Sequence, residues 1–376
     1  MRFELLECPM PRFTPLVADL PSTVPFVGPE TQERASGSRF RARLGANENV
    51  FGPSPKAIRA MSDSTPAVWQ YADPENHDLK TALAEFHGVS PSNIMIGDGI
   101  DGLLGLLVRM LVSEGTPVVT SLGAYPTFNF HVAGFGGKLI TEPYKNDAED
   151  PDAILASVQA QDAPLAYFAN PDNPMGSMHG PEIVRTLINN IPADGLLCLD
   201  EAYCEFADAD QLLPIDVSET RVVRMRTFSK AYGMAGARVG YAIGHEDLID
   251  SFNKVRNHFG VNRVGQIGAL AALEDQDWLN AVVGRVREAN GRIAEIAKVN
   301  GLAPLPSHTN FVTIDCGGGE DHARALVAAL ARQHVFVRMP FVAPQSRCIR
   351  ISAGLPSDLD YLEEALPKAL DEVQDA

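Results

Sequence analysis

A lysine surrounded by polar and small residues is the first candidate for chemistry in this chain. Lys230 lies in TFSKAYGMAGARVGY, residues 227–241. Thr227 and Ser229 carry hydroxyl donors, and Arg238 carries a planar guanidinium that suits an anionic oxygen group. A lysine amine attacks carbonyl carbon when nearby positive charge and desolvation make its neutral form accessible. The segment therefore predicts a reactive amine beside a bound anion.

A glycine-rich turn offers a second contact for an anion. GDGIDG, residues 97–102, follows the short apolar strand NIMIG and opens a helical segment. Free backbone N–H groups and the helix dipole attract anions at such a turn. The same pattern occurs in nicotinamide-dependent oxidoreductases, which also need an acidic residue about 20 positions further on to hold the ribose. No acidic residue lies between Glu114 and Glu142, so the turn favours a phosphate over a dinucleotide.

An amine beside a phosphate site points to one class of cofactor. Pyridoxal 5'-phosphate (PLP) carries both a phosphate and an aldehyde, and its enzymes pair a lysine with an acidic partner for the pyridine nitrogen. Asp200, near the end of the apolar run GLLCLDEAY, is the candidate partner. The residues alone thus predict a PLP site.

Charge and hydropathy exclude other classes of partner. The chain has 31 Lys and Arg against 48 Asp and Glu, a net charge of −17. This balance argues against nucleic acid and anionic membranes, which bind basic surfaces. The apolar run GLLGLLVRMLV contains Arg109 and is too short to cross a bilayer, and the N-terminus lacks the apolar run of a signal peptide. We therefore expect a small-molecule ligand, with neither nucleic acid nor membrane as a partner.

Cysteine and histidine spacing indicates neither a disulfide framework nor a metal site. The five cysteines are odd in number, widely spread and free of C-x-x-C spacing: Cys8, Cys198, Cys204, Cys316 and Cys348. This usage suits a reducing cytoplasm. His258, His308 and His334 have no metal-ligand spacing, so they are interpreted as structural.

A chain of 376 residues is expected to form about two domains. Residues 1–43 are rich in proline and are predicted to be an extended arm. Residues 44–274 alternate helical patterns with apolar runs, which predicts an α/β domain with a mainly parallel sheet covered on both faces. Its first residues are expected to contribute to a smaller α/β domain, residues 275–376. Ligands of such sheets bind beyond the carboxyl ends of the strands.

Four segments resemble, in the same order along the chain, the signature segments of fold type I, class I/II PLP-dependent aminotransferases. They are NPDNPMG (170–176), DEAYCEF (200–206), TFSKAYGMAGARVGY (227–241) and RISAGLP (350–356). Three more resemble the histidinol-phosphate aminotransferase branch: LGANENVFGPSPKA (44–57), QYADPENHDLKTALAEFHG (70–88) and PSHTNFV (306–312). The resemblance implies a large domain with a mainly parallel seven-stranded sheet and a smaller C-terminal α/β domain.

The resemblance also implies roles at the cofactor ring. Lys230 would bind the PLP aldehyde covalently and then move the proton between substrate Cα and the cofactor. Asp200 would keep the pyridine nitrogen protonated. Asn173 and Tyr203 would hydrogen-bond the phenolic oxygen of the ring, with Tyr203 counted among the catalytic residues, and Tyr125 would stack on its face.

Further roles concern the phosphate and the substrate. Phosphate contacts within one chain are implied for the backbone at Ile100 and Asp101 and for the side chains of Thr227, Ser229 and Arg238. Tyr71 would reach that phosphate from the neighbouring subunit, so the resemblance implies a homodimer. Arg350 would bind the anionic group of the substrate with help from Arg338, and Asn173 and Asn47 are also expected to contact the substrate.

Departures from the branch pattern leave the amino donor open. Phe51 occupies a position where relatives often carry Tyr, His258 stands where Pro is expected, and the N-terminal arm is long. The predicted reaction moves an amino group from a donor, with L-histidinol phosphate preferred, to 2-oxoglutarate. The alternatives are an aromatic or other amino donor whose carboxylate binds Arg350, or a PLP-dependent decarboxylase or lyase. A nicotinamide oxidoreductase and a catalytically inactive binding protein are disfavoured.

Overall fold

The structure is a computed structural model that describes residues 11–22 and 27–374. Its α-helices are α1 (Pro15–Asp19), α2 (Pro29–Ser36), α3 (Pro55–Ser64), α4 (His77–His87), α5 (Ile100–Leu111), α6 (Pro126–Gly134), α7 (Pro151–Gln161), α8 (Pro181–Asn190), α9 (Glu246–Ser251), α10 (Arg263–Leu273), α11 (Gln276–Val299), α12 (Gly319–Arg332) and α13 (Pro356–Gln374). Its strands are β1 (Ala42–Arg43), β2 (Ile94–Gly97), β3 (Pro117–Ser121), β4 (Lys138–Glu142), β5 (Leu165–Ala169), β6 (Leu196–Asp200), β7 (Val222–Thr227), β8 (Gly240–Gly244), β9 (Ala303–Pro304), β10 (Phe311–Asp315), β11 (Val335–Phe336) and β12 (Cys348–Ser352).

The central sheet has seven strands within the described residues, in the order β2-β8-β7-β6-β5-β3-β4. Strands β3 to β7 are mutually parallel, and β8 runs antiparallel to both of its neighbours. The prediction of a mainly parallel seven-stranded sheet is confirmed. Strands β5, β6 and β7 therefore all end at the same edge of the sheet.

Side chains of the central strands alternate between two cores, one on each face. Leu165, Tyr167 and Ala169 of β5 pack on the face covered by α5 and α6. Ala166 and Phe168 pack on the face covered by α7 and α8. Because both faces are buried, the strands are apolar throughout, with polar residues where the strands end.

The C-terminal part forms smaller sheets. Strand β10 lies between β12 and β9 in an antiparallel sheet, and helices α11, α12 and α13 pack around it. Strand β1 pairs in parallel with β11, with Ala42 opposite Val335. Residues just before 44 thus join the C-terminal sheets. The domain boundaries 1–43, 44–274 and 275–376 stay a prediction.

The predicted arm is more structured than expected. Helices α1 and α2 lie inside residues 1–43, although the prolines there were interpreted as a sign of extended chain. Pro15 and Pro29 each occupy the first turn of a helix, where the missing N–H costs no hydrogen bond. Residues 1–10 and 23–26 of the arm lie outside the described residues. In the parts that are described, no helix has the length and apolar character of a membrane span.

Candidate active site

A pocket of about 770 Å³ opens at the carboxyl ends of β5, β6 and β7. This is the edge where ligands of parallel α/β sheets bind. The structure brings almost all of the predicted site residues to this pocket: Asn47, Ile100, Asp101, Tyr125, Asn173, Asp200, Tyr203, Thr227, Ser229, Lys230, Arg238, Arg338 and Arg350. Tyr71 is the exception. It is 78% exposed, and its ring packs against Phe259 with centroids 4.7 Å apart.

The Lys230 amine lies inside this pocket, in the turn that follows β7. Its Nζ donates a hydrogen bond to the backbone oxygen of Asn47 at 3.2 Å. The same Nζ lies 5.5 Å from the centre of the Tyr203 ring. Asn47 in turn donates from Nδ2 to the Tyr203 hydroxyl at 3.1 Å. The amine is therefore oriented by a residue far away in the sequence, and it remains half-buried.

Asp200 is the last residue of β6 and is only 5% exposed. Its Oδ2 accepts from the Tyr167 hydroxyl at 2.6 Å, and its Oδ1 accepts from the backbone N–H of Ala202 at 2.9 Å. Burial raises the pKa of Asp200 to about 6, although these two hydrogen bonds favour the charged form. A cationic N–H group placed against this carboxylate would relieve the cost of burying its charge.

Tyr167 was not predicted to be a site residue. It stands inside the apolar run LAYFA, which was interpreted only as a buried strand. A polar hydroxyl in a fully buried strand needs a hydrogen-bonding partner, and this requirement was an available signal.

The turn before α5 and the segment after β7 form an anion cradle. Gly99 has φ +87°, and a Cβ placed there would lie 2.4 Å from Nη2 of Arg238. Arg238 donates from Nη1 to Ser229 Oγ at 3.2 Å, and the backbone N–H of Ser229 donates to Thr227 Oγ1 at 3.0 Å. The N-terminus of α5 at Ile100 adds unpaired N–H groups and a positive dipole end. This space suits a phosphate and excludes a side chain at position 99.

Two further predicted residues meet at the cradle. Tyr125 donates its hydroxyl proton to Asp101 Oδ1 at 2.7 Å, and burial is the main reason why the pKa of Tyr125 is raised. Arg238 Nη2 lies 3.4 Å from the other oxygen of Asp101. The Asp101 side chain therefore connects the aromatic residue predicted to stack on the ring with the predicted phosphate-binding arginine.

The opposite wall of the pocket carries a half-buried cation from the C-terminal sheets. Arg350 on β12 donates from Nη1 to Asn173 Oδ1 and from Nη2 to the backbone oxygen of Gly45 at 3.3 Å. Burial lowers the pKa of Arg350 to about 10, which leaves the guanidinium charged at neutral pH. Arg338 pairs with Arg350 through the backbone, and its Nη2 donates to the Val27 oxygen at 2.8 Å.

The groups that line the pocket fit PLP. The glycine cradle matches a phosphate, the half-buried Lys230 amine matches an aldehyde, and the buried Asp200 carboxylate matches a protonated ring nitrogen. A nicotinamide dinucleotide has no use for the lysine or for this acid.

Comparison with known proteins identifies the class of protein. The family model described as "Aminotransferase class I and II" matches residues 42–366, so the chain belongs to the class I and II aminotransferase family. The family predicted from the sequence motifs is thereby confirmed, and the nicotinamide alternative is excluded.

Several similar proteins carry the name histidinol-phosphate aminotransferase. The histidinol-phosphate aminotransferase of Desulfotalea psychrophila is 32% identical over 97% of this chain and 99% of its own. That of an Anaeromyxobacter species is 34% identical over 96% of this chain and 100% of its own. A crystal structure of histidinol-phosphate aminotransferase from Sinorhizobium meliloti in complex with pyridoxal 5'-phosphate is 52% identical. It has a TM-score of 0.95 and covers 97% of this chain and 99% of that one.

Proposed function

We propose that this chain is a PLP-dependent aminotransferase that moves the amino group of L-histidinol phosphate to 2-oxoglutarate. The observation that carries the proposal is the position of the Lys230 amine, in one pocket with the Asp200 carboxylate and the cradle at Ile100 and Arg238. Family membership supports the reaction class. The names of the relatives support the donor.

PLP, when bound, supplies an aldehyde that condenses with primary amines and a ring that delocalises the electrons left behind when a Cα proton departs. The chain's own residues then have distinct tasks. Asp200 holds the proton on the ring nitrogen, and the cradle holds the phosphate. Lys230 carries the proton between substrate Cα and the cofactor, guided by the backbone oxygen of Asn47. Tyr203 and Asn173 hydrogen-bond the phenolic oxygen of the ring and so fix its orientation.

Substrate recognition is assigned to Arg350. A half-buried guanidinium binds a carboxylate or a phosphate through two parallel hydrogen bonds, so it can serve both the donor and 2-oxoglutarate in turn. Asn173 already accepts a hydrogen bond from this guanidinium, which fixes its plane. Phe51, the departure from the branch pattern, does not line this pocket. It lies beneath Arg285, whose Cζ is 5.9 Å from the ring centre.

The first test is a half-reaction with one candidate donor. Purified holoenzyme mixed with L-histidinol phosphate, without any 2-oxo acid, should release the keto product and convert bound PLP to pyridoxamine phosphate. Absorption spectroscopy and mass spectrometry follow the two changes. If an aromatic amino acid converts bound PLP and L-histidinol phosphate does not, the amino donor is the aromatic amino acid. Release of CO₂ without a keto product would show that the enzyme is a decarboxylase and not an aminotransferase.

We also propose a homodimer in the cytoplasm. An exposed Tyr71 beside the half-exposed Phe259 suits a surface that a second copy covers, and Tyr71 would then complete the partner's phosphate site. The four described cysteines, Cys198, Cys204, Cys316 and Cys348, are buried and unpaired, which suits a reducing compartment.

Mixing two impaired variants tests whether Tyr71 acts across the dimer. Tyr71→Ala should weaken PLP binding by about tenfold, because one hydrogen bond to a charged phosphate is lost. Tyr71→Ala and Lys230→Ala subunits, unfolded and refolded together at limiting PLP, should regain about a quarter of the wild-type sites, since hybrid dimers pair two intact residues in one site. A mixture that gains no activity over the separately refolded variants would place Tyr71 outside the neighbouring site.

A further inference from the structure

A pair of buried carboxyl groups lies behind the loop that carries Asn173. Glu149 and Asp172 are each 1% exposed. Glu149 precedes α7, and Asp172 belongs to the 170–176 loop between β5 and α8. Neither residue is among those that face the cofactor pocket.

Each carboxyl group accepts hydrogen bonds from neighbouring segments. Glu149 Oε2 accepts from Ser121 Oγ at 3.0 Å, and its Oε1 accepts from the backbone N–H of Ala169 at 3.3 Å. These contacts connect Glu149 to the ends of β3 and β5, the two strands next to the loop.

Asp172 organises the loop itself. Its Oδ1 accepts from the Tyr144 hydroxyl at 2.8 Å, and its Oδ2 accepts from the backbone N–H of Met175 at 3.0 Å. Its backbone N–H donates to the backbone oxygen of Ser177 at 2.9 Å, and its backbone oxygen accepts from the backbone N–H of Gly176 at 3.1 Å. Asp172 thus closes the turn on both sides of Asn173.

The charges around the pair allow only one of the two acids to be ionised. Among the described residues, no Lys, Arg or His side chain forms an ion pair with Glu149 or Asp172. His179 contacts only the backbone oxygen of Glu149, at 2.8 Å. Arg350 is the cation whose field reaches Asp172. The side chains of Glu149 and Asp172 are close enough to share a hydrogen bond. Two buried carboxyl groups in such contact, without a paired cation, cannot both carry charge, so one proton remains.

The proton belongs on Glu149. Burial and the neighbouring Asp172 raise the pKa of Glu149 well above its ordinary value. Burial raises the pKa of Asp172 to about 6, with the Met175 N–H, the Tyr144 hydroxyl, Glu149 and Arg350 favouring its charged form. At neutral pH Glu149 is therefore a neutral donor and Asp172 a charged acceptor.

We propose that Glu149, as a neutral carboxylic acid, and Asp172, as a carboxylate, form a positioning pair that holds Asn173 against Arg350 in the substrate site. Glu149 donates its proton to Asp172, and Asp172 closes the turn that carries Asn173. Because Asn173 meets Arg350, the pair acts on substrate binding without touching substrate. The inference rests on the proposed function, in which Asn173 and Arg350 bind the ring and the substrate.

Replacing Glu149 with glutamine distinguishes the neutral acid from a carboxylate. In Glu149→Gln the amide oxygen can accept from Ala169 N–H, and the amide nitrogen can donate to Asp172 and to Ser121 Oγ. Every contact is kept, with the direction of the Ser121 hydrogen bond reversed, so kcat/KM should stay within about threefold of wild type. Glu149→Ala removes the donor to Asp172 and should lower kcat/KM by about tenfold or more, with a raised KM.

A matched control uses the same change at an ionised buried glutamate. Glu201 Oε1 lies 2.8 Å from Arg224 Nη1, and its Oε2 lies 2.8 Å from Arg226 Nε. Glu201→Gln should lower the melting temperature clearly, because two buried guanidinium groups lose their counter-charge. Glu149→Gln should not. If both variants are destabilised equally, Glu149 is ionised and the proposed pair is wrong.

A double-mutant cycle separates positioning from general stability. Asn173→Ala alone should lower kcat/KM, and Glu149→Ala should add little in the Asn173→Ala background, because both act through Asn173. Fully additive losses would overturn the positioning role.

Infrared spectroscopy tests the protonation of Glu149 without an activity measurement and without the alanine variant. The carboxylic-acid C=O stretching band of a buried, neutral Glu149 should be present in infrared spectra of the wild-type protein near neutral pH and lost in Glu149→Gln. A spectrum in which no such band depends on Glu149 contradicts the pair. A wild-type protein that shows the band but does not transaminate contradicts the proposed function alone.

Discussion

Replacing Lys230 with alanine is expected to lower the rate of transamination by about 10⁴-fold, the upper end of what one acid–base group contributes. The structure gives the reason. The Lys230 amine is the only lysine nitrogen among the described residues that line the pocket, and Asn47 holds it by a hydrogen bond of 3.2 Å. No neighbouring side chain can both bind the aldehyde and move the Cα proton.

Two further variants make the Lys230 test specific. Lys230→Arg keeps the positive charge but provides no neutral amine, so it should be nearly as inactive as Lys230→Ala. Lys298→Ala removes an exposed lysine whose Nζ lies 2.8 Å from Glu295 on α11, and it should retain full activity. Borohydride reduction followed by peptide mass spectrometry should locate the cofactor on Lys230 in the wild type. A cofactor found on another lysine would refute the assignment.

The sequence predicted the parts of the site that lie in contiguous motifs. Lys230, Ser229 and Arg238 stand in one segment, and Asp200 ends an apolar strand. Their convergence follows from strand order, because parallel strands end at one edge of the sheet. The chemistry could therefore be predicted without knowledge of the packing.

The remaining parts depend on contacts between distant segments. Asn47 meets Lys230 across 183 positions, through a backbone oxygen that no pattern of residue types reveals. Glu149 comes from a segment that was not interpreted as functional, and Asp172 lies in the NPDNPMG motif without a role of its own. Their shared burial is visible only in the fold. Helices α1 and α2 were missed because proline was interpreted as a helix breaker, whereas at a first turn it is compatible with a helix.

Asp200→Asn should have opposite effects on activity and on the stability of the cofactor-free protein. Asparagine cannot retain a proton on the ring nitrogen, so the rate should fall by about 10³-fold, which corresponds to about 4 kcal/mol of lost transition-state stabilisation. Packing should be unchanged, since the amide oxygen can accept from Ala202 N–H and the amide nitrogen can donate to the Tyr167 oxygen. PLP affinity should also fall.

The stability effect of Asp200→Asn follows from the pKa of the buried acid. In the folded, cofactor-free protein the pKa of Asp200 is about 6, against 3.8 for an ordinary Asp, because burial opposes its charge. The folded state therefore binds this proton more tightly than the unfolded state. The contribution of Asp200 to stability is greatest below pH 3.8, declines as the pH rises to about 6, and stays low above it. The difference is worth about 3 kcal/mol.

Denaturant unfolding of the cofactor-free proteins measures this difference. Asparagine does not titrate, so the free energy of unfolding of Asp200→Asn should exceed that of the wild type by more at pH 8 than at pH 5. Asp162→Asn is the matched control, because Asp162 is exposed at the end of α7 with φ +52°, a conformation that asparagine also adopts. Its difference from wild type should not depend on pH. Equal differences for Asp200→Asn at both pH values would show that Asp200 is not held against its charge. A larger difference at pH 8 would mean that the fold keeps a destabilising carboxylate because the protonated ring of the cofactor needs it.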